Sequence, residues 1–177
     1  MISLVGSLVK LRALEPEDLD FLYRLENDTE IWEISGTLTP YSRNVLQSYL
    51  DSAHRDIYEV KQLRLAICTD AGMLIGMIDL FDFDPRHLRA GIGVVIADPE
   101  ARNQGYGAEA IRLVCEYGFE VLGLHQLYAS VGEGNQASLH LFRKLGFIET
   151  GRKRDWLRTA DGFKDELILQ KISADEA

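Results

Sequence analysis

The sequence predicts an α+β domain, and three observations carry that prediction. An apolar run over 63–69 turns at Asp70, Ala71 and Gly72 and returns over 73–81, the pattern of a β-hairpin. A β-branched run ends at Asp98 and Pro99, passes Gly105 and Gly107, and gives way to helical spacing. The whole chain reads strand, two helices, three strands, helix, strand, helix, two strands, which is not a simple alternation.

Each element has its own reason. Residues 9–14 alternate weakly and form the first strand. Glu15, Pro16, Glu17 and Asp18 open a helix: proline suits the first turn, and acids complement its positive end. Leu19, Leu22, Tyr23 and Leu25 continue it, and Asn27 and Asp28 end it. Residues 30–41 read as irregular, broken by Gly36 and Pro40. Ser42 caps a second helix carrying Val45, Leu46, Tyr49 and Leu50 on its apolar side. After the hairpin, 82–87 is a polar connection with Pro85, and 89–96 is a strand. Proline cannot donate to a ladder, so that strand has ended by Pro99. In the following helix Ile111, Val114, Gly118 and Val121 share a face, with Glu109, Arg112, Glu116 and Glu120 mostly off it. Residues 126–131 form a strand, and Glu133, Gly134 and Asn135 lead into a helix over 136–145 that Gly146 ends. Strands at 147–150 and 163–170, with a turn at Asp161 and Gly162, complete the domain. The tail, 173–177, is expected to fray.

Composition bounds the function. The 177 residues fit one domain, 1–177, with 46% apolar and 27% charged residues. No apolar run reaches the length of a membrane span, and the first residues lack a signal-peptide pattern, so a cytoplasmic protein without membrane contact is expected. Cys68 and Cys115 lack metal-ligand spacing and read as buried thiols; no residue cluster suggests a metal. The net charge of −9 argues against nucleic acid as a partner and suits a cationic one such as an amine.

The glycine loop carries the chemistry. The first N–H groups of a helix have no intrahelical partner, and the dipole there is positive, so the loop is a ready site for a phosphate or pyrophosphate. Two cofactor classes fit. Gly105, Gly107 and Ala110 match the loose dinucleotide fingerprint, and Glu133 imitates its ribose-binding acid. Arg102, Gly105 and Gly107 form a pattern that instead resembles the acyl-CoA loop of the GNAT superfamily of N-acetyltransferases. A dinucleotide domain opens with its fingerprint and alternates strands and helices along a parallel sheet. Here several strands precede the loop and only one strand–helix unit follows it, which favours coenzyme A.

Two motifs carry a family resemblance: Arg102, Asn103, Gln104, Gly105, Tyr106, Gly107 and Ala108; then Asn135, Ser138, Leu141, Phe142, Lys144, Gly146 and Phe147. Their order, with one strand between them, resembles the GNAT superfamily of N-acetyltransferases, over about 9–171. Within it, 76–147 is most similar to the bacterial spermidine/spermine N-acetyltransferases, then to the ribosomal-protein N-terminal acetyltransferases. The resemblance implies the acyl-CoA N-acyltransferase fold: a mixed, mostly antiparallel sheet of six to seven strands flanked by about four helices. It implies acetyl-CoA as co-substrate, no metal, and direct transfer of acetyl to a primary amine. Backbone N–H groups of Gln104 to Ala108 would cradle the pyrophosphate, beside Asn103, with Arg102 at the loop's entry. The backbone of Val94, Val95 and Ile96 would pair with the pantetheine arm. Asn135 would bond that arm, and Ser138, Phe142 and Lys144 would line the cofactor's other side.

Two departures touch catalysis. Family members often carry a tyrosine, as proton donor to the leaving thiolate, where this chain has Phe142. Tyr128 and His140 are the candidate replacements; packing and surface placement compete with that role. A thiol of pKa about 8.5 also leaves tolerably as the thiolate. Related enzymes often have a glutamate base where this chain has Gly91. The nearest carboxylates are Asp79, Asp82 and Asp84; Asp79 stands in an otherwise apolar strand, where an unpaired charge is costly. An acidic rim of Glu26, Asp28, Glu30 and Glu33 around Trp32 suits a polycation, with Glu30, Trp32 and Glu33 as its candidate contacts. The expected acceptor is a polyamine such as spermidine or spermine. A protein N-terminus and a non-catalytic CoA-binding regulator are the alternatives, and a homo-oligomer is compatible with each.

Overall fold

The computed structural model describes residues 2–174. Seven strands form one sheet: β1 (Val9–Arg12), β2 (Leu63–Thr69), β3 (Leu74–Asp84), β4 (Arg89–Ile96), β5 (Gln126–Gly132), β6 (Ile148–Thr159) and β7 (Gly162–Ile172). Their spatial order is β1-β2-β3-β4-β5-β7-β6. Every neighbouring pair is antiparallel except β4 and β5, which are parallel. The helices are α1 (Leu19–Glu26), α2 (Thr29–Ser35), α3 (Arg43–Asp51), α4 (Ile57–Val60), α5 (Tyr106–Glu120) and α6 (Gln136–Lys144).

Successive side chains of a strand point to opposite faces, and the core divides accordingly. On one face Leu22 and Leu25 of α1 and Leu46 and Leu50 of α3 cluster with Ala66, Cys68 and Met77. On the other, Ile111 and Val114 of α5 and Leu139 and Phe142 of α6 cluster with Ile67, Ile78, Ile92, Leu127 and Leu169. Neighbours Met77 and Ile78 thus serve different layers. Cys68 and Cys115 are buried free thiols, as expected.

Several expectations need correction. Six α-helices flank the sheet among the described residues, not about four. The stretch read as irregular from residue 30 holds α2, capped by Asp28, which accepts from Glu30 N–H, and ended by Gly36. The one-turn α4, capped by Asp56, is an element beyond those the sequence predicts. β3 runs on to Asp84 past an irregularity where Asp82 has φ +48°. β6 extends to Thr159, well beyond the expected 147–150. It is a sheet edge with mostly exposed residues, so no apolar alternation marks it. Val121 lies past the end of α5 and is exposed, while Leu113 and Cys115 are buried. Ala160 and Asp161 form the last turn, and Gly162 already belongs to β7. Part of the tail expected to fray, 175–177, lies outside the described residues. Among the described residues no helix is long and apolar enough to cross a membrane, and no His, Cys, Asp or Glu cluster could hold a metal ion.

Candidate active site

The site begins where the sheet opens. β4 and β5 pair only at Arg89–Gln126, Ala90–Leu127 and Gly91–Tyr128. Beyond Gly91, β4 continues to Ile96 with β3 on one side and, among the described residues, no strand partner on the other. Ala97 N–H donates to Ile75 O, 2.9 Å, so Val95, Gly93 and Gly91 also turn their backbone groups to β3. By alternation Ile92, Val94 and Ile96 turn theirs into the gap. Of the predicted run, then, Val94 and Ile96 offer backbone groups to a ligand. Val95 does not: its backbone is spent on β3, and its side chain packs in the α1–α3 layer.

The glycine loop lies at the open end of this gap. Asp98 caps a short 3-10 turn, Pro99–Ala101, by accepting from Glu100 N–H. Asn103 (φ +60°) and Gly105 (φ +87°) are left-handed, and Gly105 caps α5. The N–H groups of Tyr106, Gly107 and Ala108 therefore begin a helix of 15 residues with no carbonyl in the preceding turn to receive them. Arg102 stands at the loop's entry, its Nε donating to Ile96 O, 3.2 Å. That bond ties the loop to the last residue of the open strand edge. Gly107 faces α6: a Cβ there would lie 3.6 Å from Leu141 and 3.9 Å from Ile96. An exposed depression of about 260 Å³ borders the loop at Gln104 and Tyr106. It shares Met73 and Asp98 with a second, of about 340 Å³, that reaches Arg24 and Asp28 at the end of α1.

Glu109, on the polar face of α5 in its first turn, does more than meet solvent. Its carboxylate accepts from Ser7 N–H (3.0 Å), Ser7 Oγ–H (2.7 Å), Leu8 N–H (2.7 Å) and Val9 N–H (2.8 Å). The N-terminal segment is thereby clamped beside the loop. Burial opposes ionisation of Glu109, but these donors outweigh it and hold the carboxyl below its usual range.

At the closed end of the gap the predicted catalytic residues separate into two groups. Asp79 is not on an exposed edge. Arg64 of β2 stands opposite it and holds both its oxygens, Nε–Oδ1 2.6 Å and NH2–Oδ2 3.2 Å, while NH1 reaches Glu26 Oε1 at 2.8 Å. Tyr49 lies beside the guanidinium, 5.7 Å from ring centre to Cζ. Burial opposes the Arg64 charge, but Asp79, then Tyr49 and Glu26, outweigh it and raise its pKa above the ordinary range. Arg64 is therefore a fixed cation, and Asp79 is a clamped carboxylate. Counting back along the hairpin from its turn places Ile78 opposite Arg64; the irregularity between Ile67 and Cys68 shifts the register by one residue and brings Asp79 there instead.

The second group is Asp82 and Tyr128. Asp82 is exposed at the β3 irregularity. Tyr128 is half-buried, and its hydroxyl titrates above its ordinary value, through burial first and then the negative charge of Asp82. It stays protonated at neutral pH, the state of a proton donor. Gly91, at the position where the resemblance implies a base, has no space for one: a Cβ there would clash with Phe81 and lie 2.5 Å from its Cζ.

The remaining candidates are spread further. Asn135 Oδ1 caps α6 by accepting from Ser138 N–H, 3.2 Å, so the pair is engaged with itself. Phe142 is 3% exposed and edge-on to Phe147, which makes it a core residue rather than a surface offered to a cofactor. Lys144 and His140 are exposed on α6. Trp32 is not an open aromatic rim: its indole N–H donates to Glu26 O, 2.8 Å, folding α2 back onto the end of α1. Glu30 and Glu33 are exposed on α2, one turn apart.

An acetyltransferase (GNAT) domain matches residues 9–148, from β1 through α6. The chain belongs to the GNAT acetyltransferases. The spermidine N(1)-acetyltransferase of Escherichia coli K12 is 34% identical over 143 residues, 81% of this chain and 74% of that one. The structure of spermidine N-acetyltransferase from Vibrio cholerae in complex with CoA and spermine is similar with a TM-score of 0.84. It is 25% identical and covers 94% of this chain and 96% of that one. A dodecameric structure of the Vibrio cholerae enzyme has a TM-score of 0.78 and 27% identity, covering 94% and 95%. GNAT enzymes use acetyl-CoA, and the residues here fit it: an unpaired strand edge for an amide-bearing arm, leading to a helix N-terminus for its phosphates. This chain is thus an acetyl-CoA-dependent N-acetyltransferase, with the mostly antiparallel seven-stranded sheet of that fold.

Proposed function

We propose that this GNAT enzyme acetylates a primary amine of a polyamine such as spermidine or spermine, by direct attack in a ternary complex. The observation that carries the reading is the similarity to spermidine N-acetyltransferases across most of the chain. The charge of the site agrees with it. Arg64 offsets only one of Glu26 and Asp79, and Asp82, Glu30 and Glu33 add further negative charge on neighbouring elements. Self-association belongs to the same reading, since the similar Vibrio cholerae enzyme has a dodecameric structure.

Bound acetyl-CoA supplies an activated acetyl thioester. The backbone groups of Val94 and Ile96 hold its arm, and one such N–H polarises the acetyl carbonyl. The N–H groups of Gln104 to Ala108 hold the phosphates, with Arg102 at the loop's entry and Asn135 toward the arm. A primary amine has a pKa of about 10 and arrives protonated, so a base must take its proton. Asp82 is the carboxylate assigned that role, directly or through water. Asp79, clamped by Arg64, positions and attracts the cation. Tyr128 donates to the departing thiolate.

The test is the initial rate of CoA thiol release from acetyl-CoA, with and without spermidine. A spermidine-dependent rate well above the blank supports the proposal. A rate equal to the blank removes spermidine as acceptor and moves the search to peptide N-termini. CoA protection against heat without thiol release from any amine would make the chain a non-catalytic CoA binder.

A further inference from the structure

Phe81, Gly91 and Tyr128 form one row across three strands: Phe81 pairs with Gly91, and Gly91 with Tyr128. Side chains in such a row share a face. The glycine contributes none, and the Phe81 ring fills its place. A Cβ on Gly91 would overlap the ring, and one on Gly93 would meet Cε1 at 3.7 Å. The ring stands edge-on to Tyr128, centroids 6.2 Å apart at 83°. This row is also the last rung before β4 and β5 part. The closed end of the gap is therefore walled by an aromatic pair, and the wall is an unbranched ring rather than a movable carboxylate.

An acyl-CoA arm lying along Ile96 and Val94 points its acyl group at that wall. We propose that Phe81 sets the acyl-chain length this enzyme accepts, closing the gap behind a two-carbon group. Phe81 is then a specificity-determining residue. The inference rests on the acetyl-transfer reading, and the reaction with a longer donor is otherwise the same. The amine nitrogen–carbon bond forms, the carbon–sulfur bond breaks, and the amine proton leaves while the thiolate gains one. Interior side chains make a wall selective because an extra methylene that does not fit costs about 1–3 kcal/mol, or roughly 10–200-fold.

The experiment compares the natural chain with Phe81→Ala and Phe81→Leu. Dissociation constants for acetyl-, propionyl- and butyryl-CoA are measured by calorimetry without amine, and kcat/KM for the same donors with spermidine. The natural chain should prefer acetyl over butyryl by at least about tenfold in both. Phe81→Ala should narrow that ratio to within about threefold, with Phe81→Leu between. Melting temperatures identify variants that fold, and if Phe81→Ala does not, Phe81→Leu decides. An acetyl-to-butyryl ratio unchanged in a folded variant overturns the inference, as does a natural chain that takes both donors equally. A change confined to the KM for spermidine overturns it too, because the ring then serves the acceptor. Absence of turnover with spermidine, alongside the expected shift in dissociation constants, refutes the polyamine reading and supports the wall.

Discussion

Replacing Glu109 by glutamine should loosen the clamp between the N-terminal segment and the start of α5. The carboxylate accepts four hydrogen bonds, three from consecutive backbone N–H groups, and its side chain is only 10% exposed. Hydrogen bonds to a charged group contribute about 1.5–3 kcal/mol each when buried. The donors of residues 7 and 8 are exposed and regain water when released, and the glutamine carbonyl still accepts from some of them. A net loss of about 2 kcal/mol follows. For a chain of this size that is a fall in Tm of roughly 4–8 °C. The pH dependence has a definite sign. Glu109 is held below its usual range, so its contribution is complete above the unfolded value of about 4.3 and fades as pH falls through the lower folded value. Thermal melts of both proteins from pH 7 down to pH 3 provide the assay. The gap between them should be widest near neutrality and shrink below about pH 4. A Glu109→Gln protein melting within about 1 °C of the natural chain at pH 7 would refute the reasoning, as would a gap that does not change with pH.

Gly105→Ala places a Cβ at φ +87°, 3.3 Å from Leu8 Cδ1, and should cost about 1–2 kcal/mol and raise the KM for acetyl-CoA more than it lowers kcat. Arg64→Ala leaves Glu26 and Asp79 without their shared partner and should destabilise the fold by about 3 kcal/mol, measured by urea unfolding. Tyr128→Phe removes the assigned proton donor while keeping the ring against Phe81; kcat should fall by about 10–100-fold and the alkaline limb of its pH profile should move.

The elements with strong local signals were legible in sequence. The hairpin of β2 and β3, the strand β4, and the helices α3, α5 and α6 each have a cap, a turn or an apolar stripe that stands alone. α2 was not, because its seven residues bury no side chain completely and so carry no stripe. β6 was hidden for a related reason: an edge strand exposed along most of its length has no core to pattern it. At the site, the phosphate loop was legible as strand, glycines and helix. The clamp on Asp79 and the ring over Gly91 were not, because both depend on pairing between strands, which residue types alone do not reveal.

The two positions at which the family resemblance implies an acid and a base are packed with carbon here. Phe142 is sealed against Phe147, and the space over Gly91 is taken by Phe81. These are not independent gaps in a polar site. The Phe81 ring also touches Tyr128, so the group that fills the base's place orients the tyrosine assigned as acid. An exposed carboxylate, Asp82, sits one residue beyond Phe81, where the strand irregularity turns it off the regular alternation with φ +48°. A regular β3 would put residue 82 on the face opposite Phe81. The irregularity brings its charge close enough to shift the Tyr128 hydroxyl. Straightening that irregularity would separate the two groups without removing either side chain, and the proposed proton transfers would lose their geometry before they lost their chemistry.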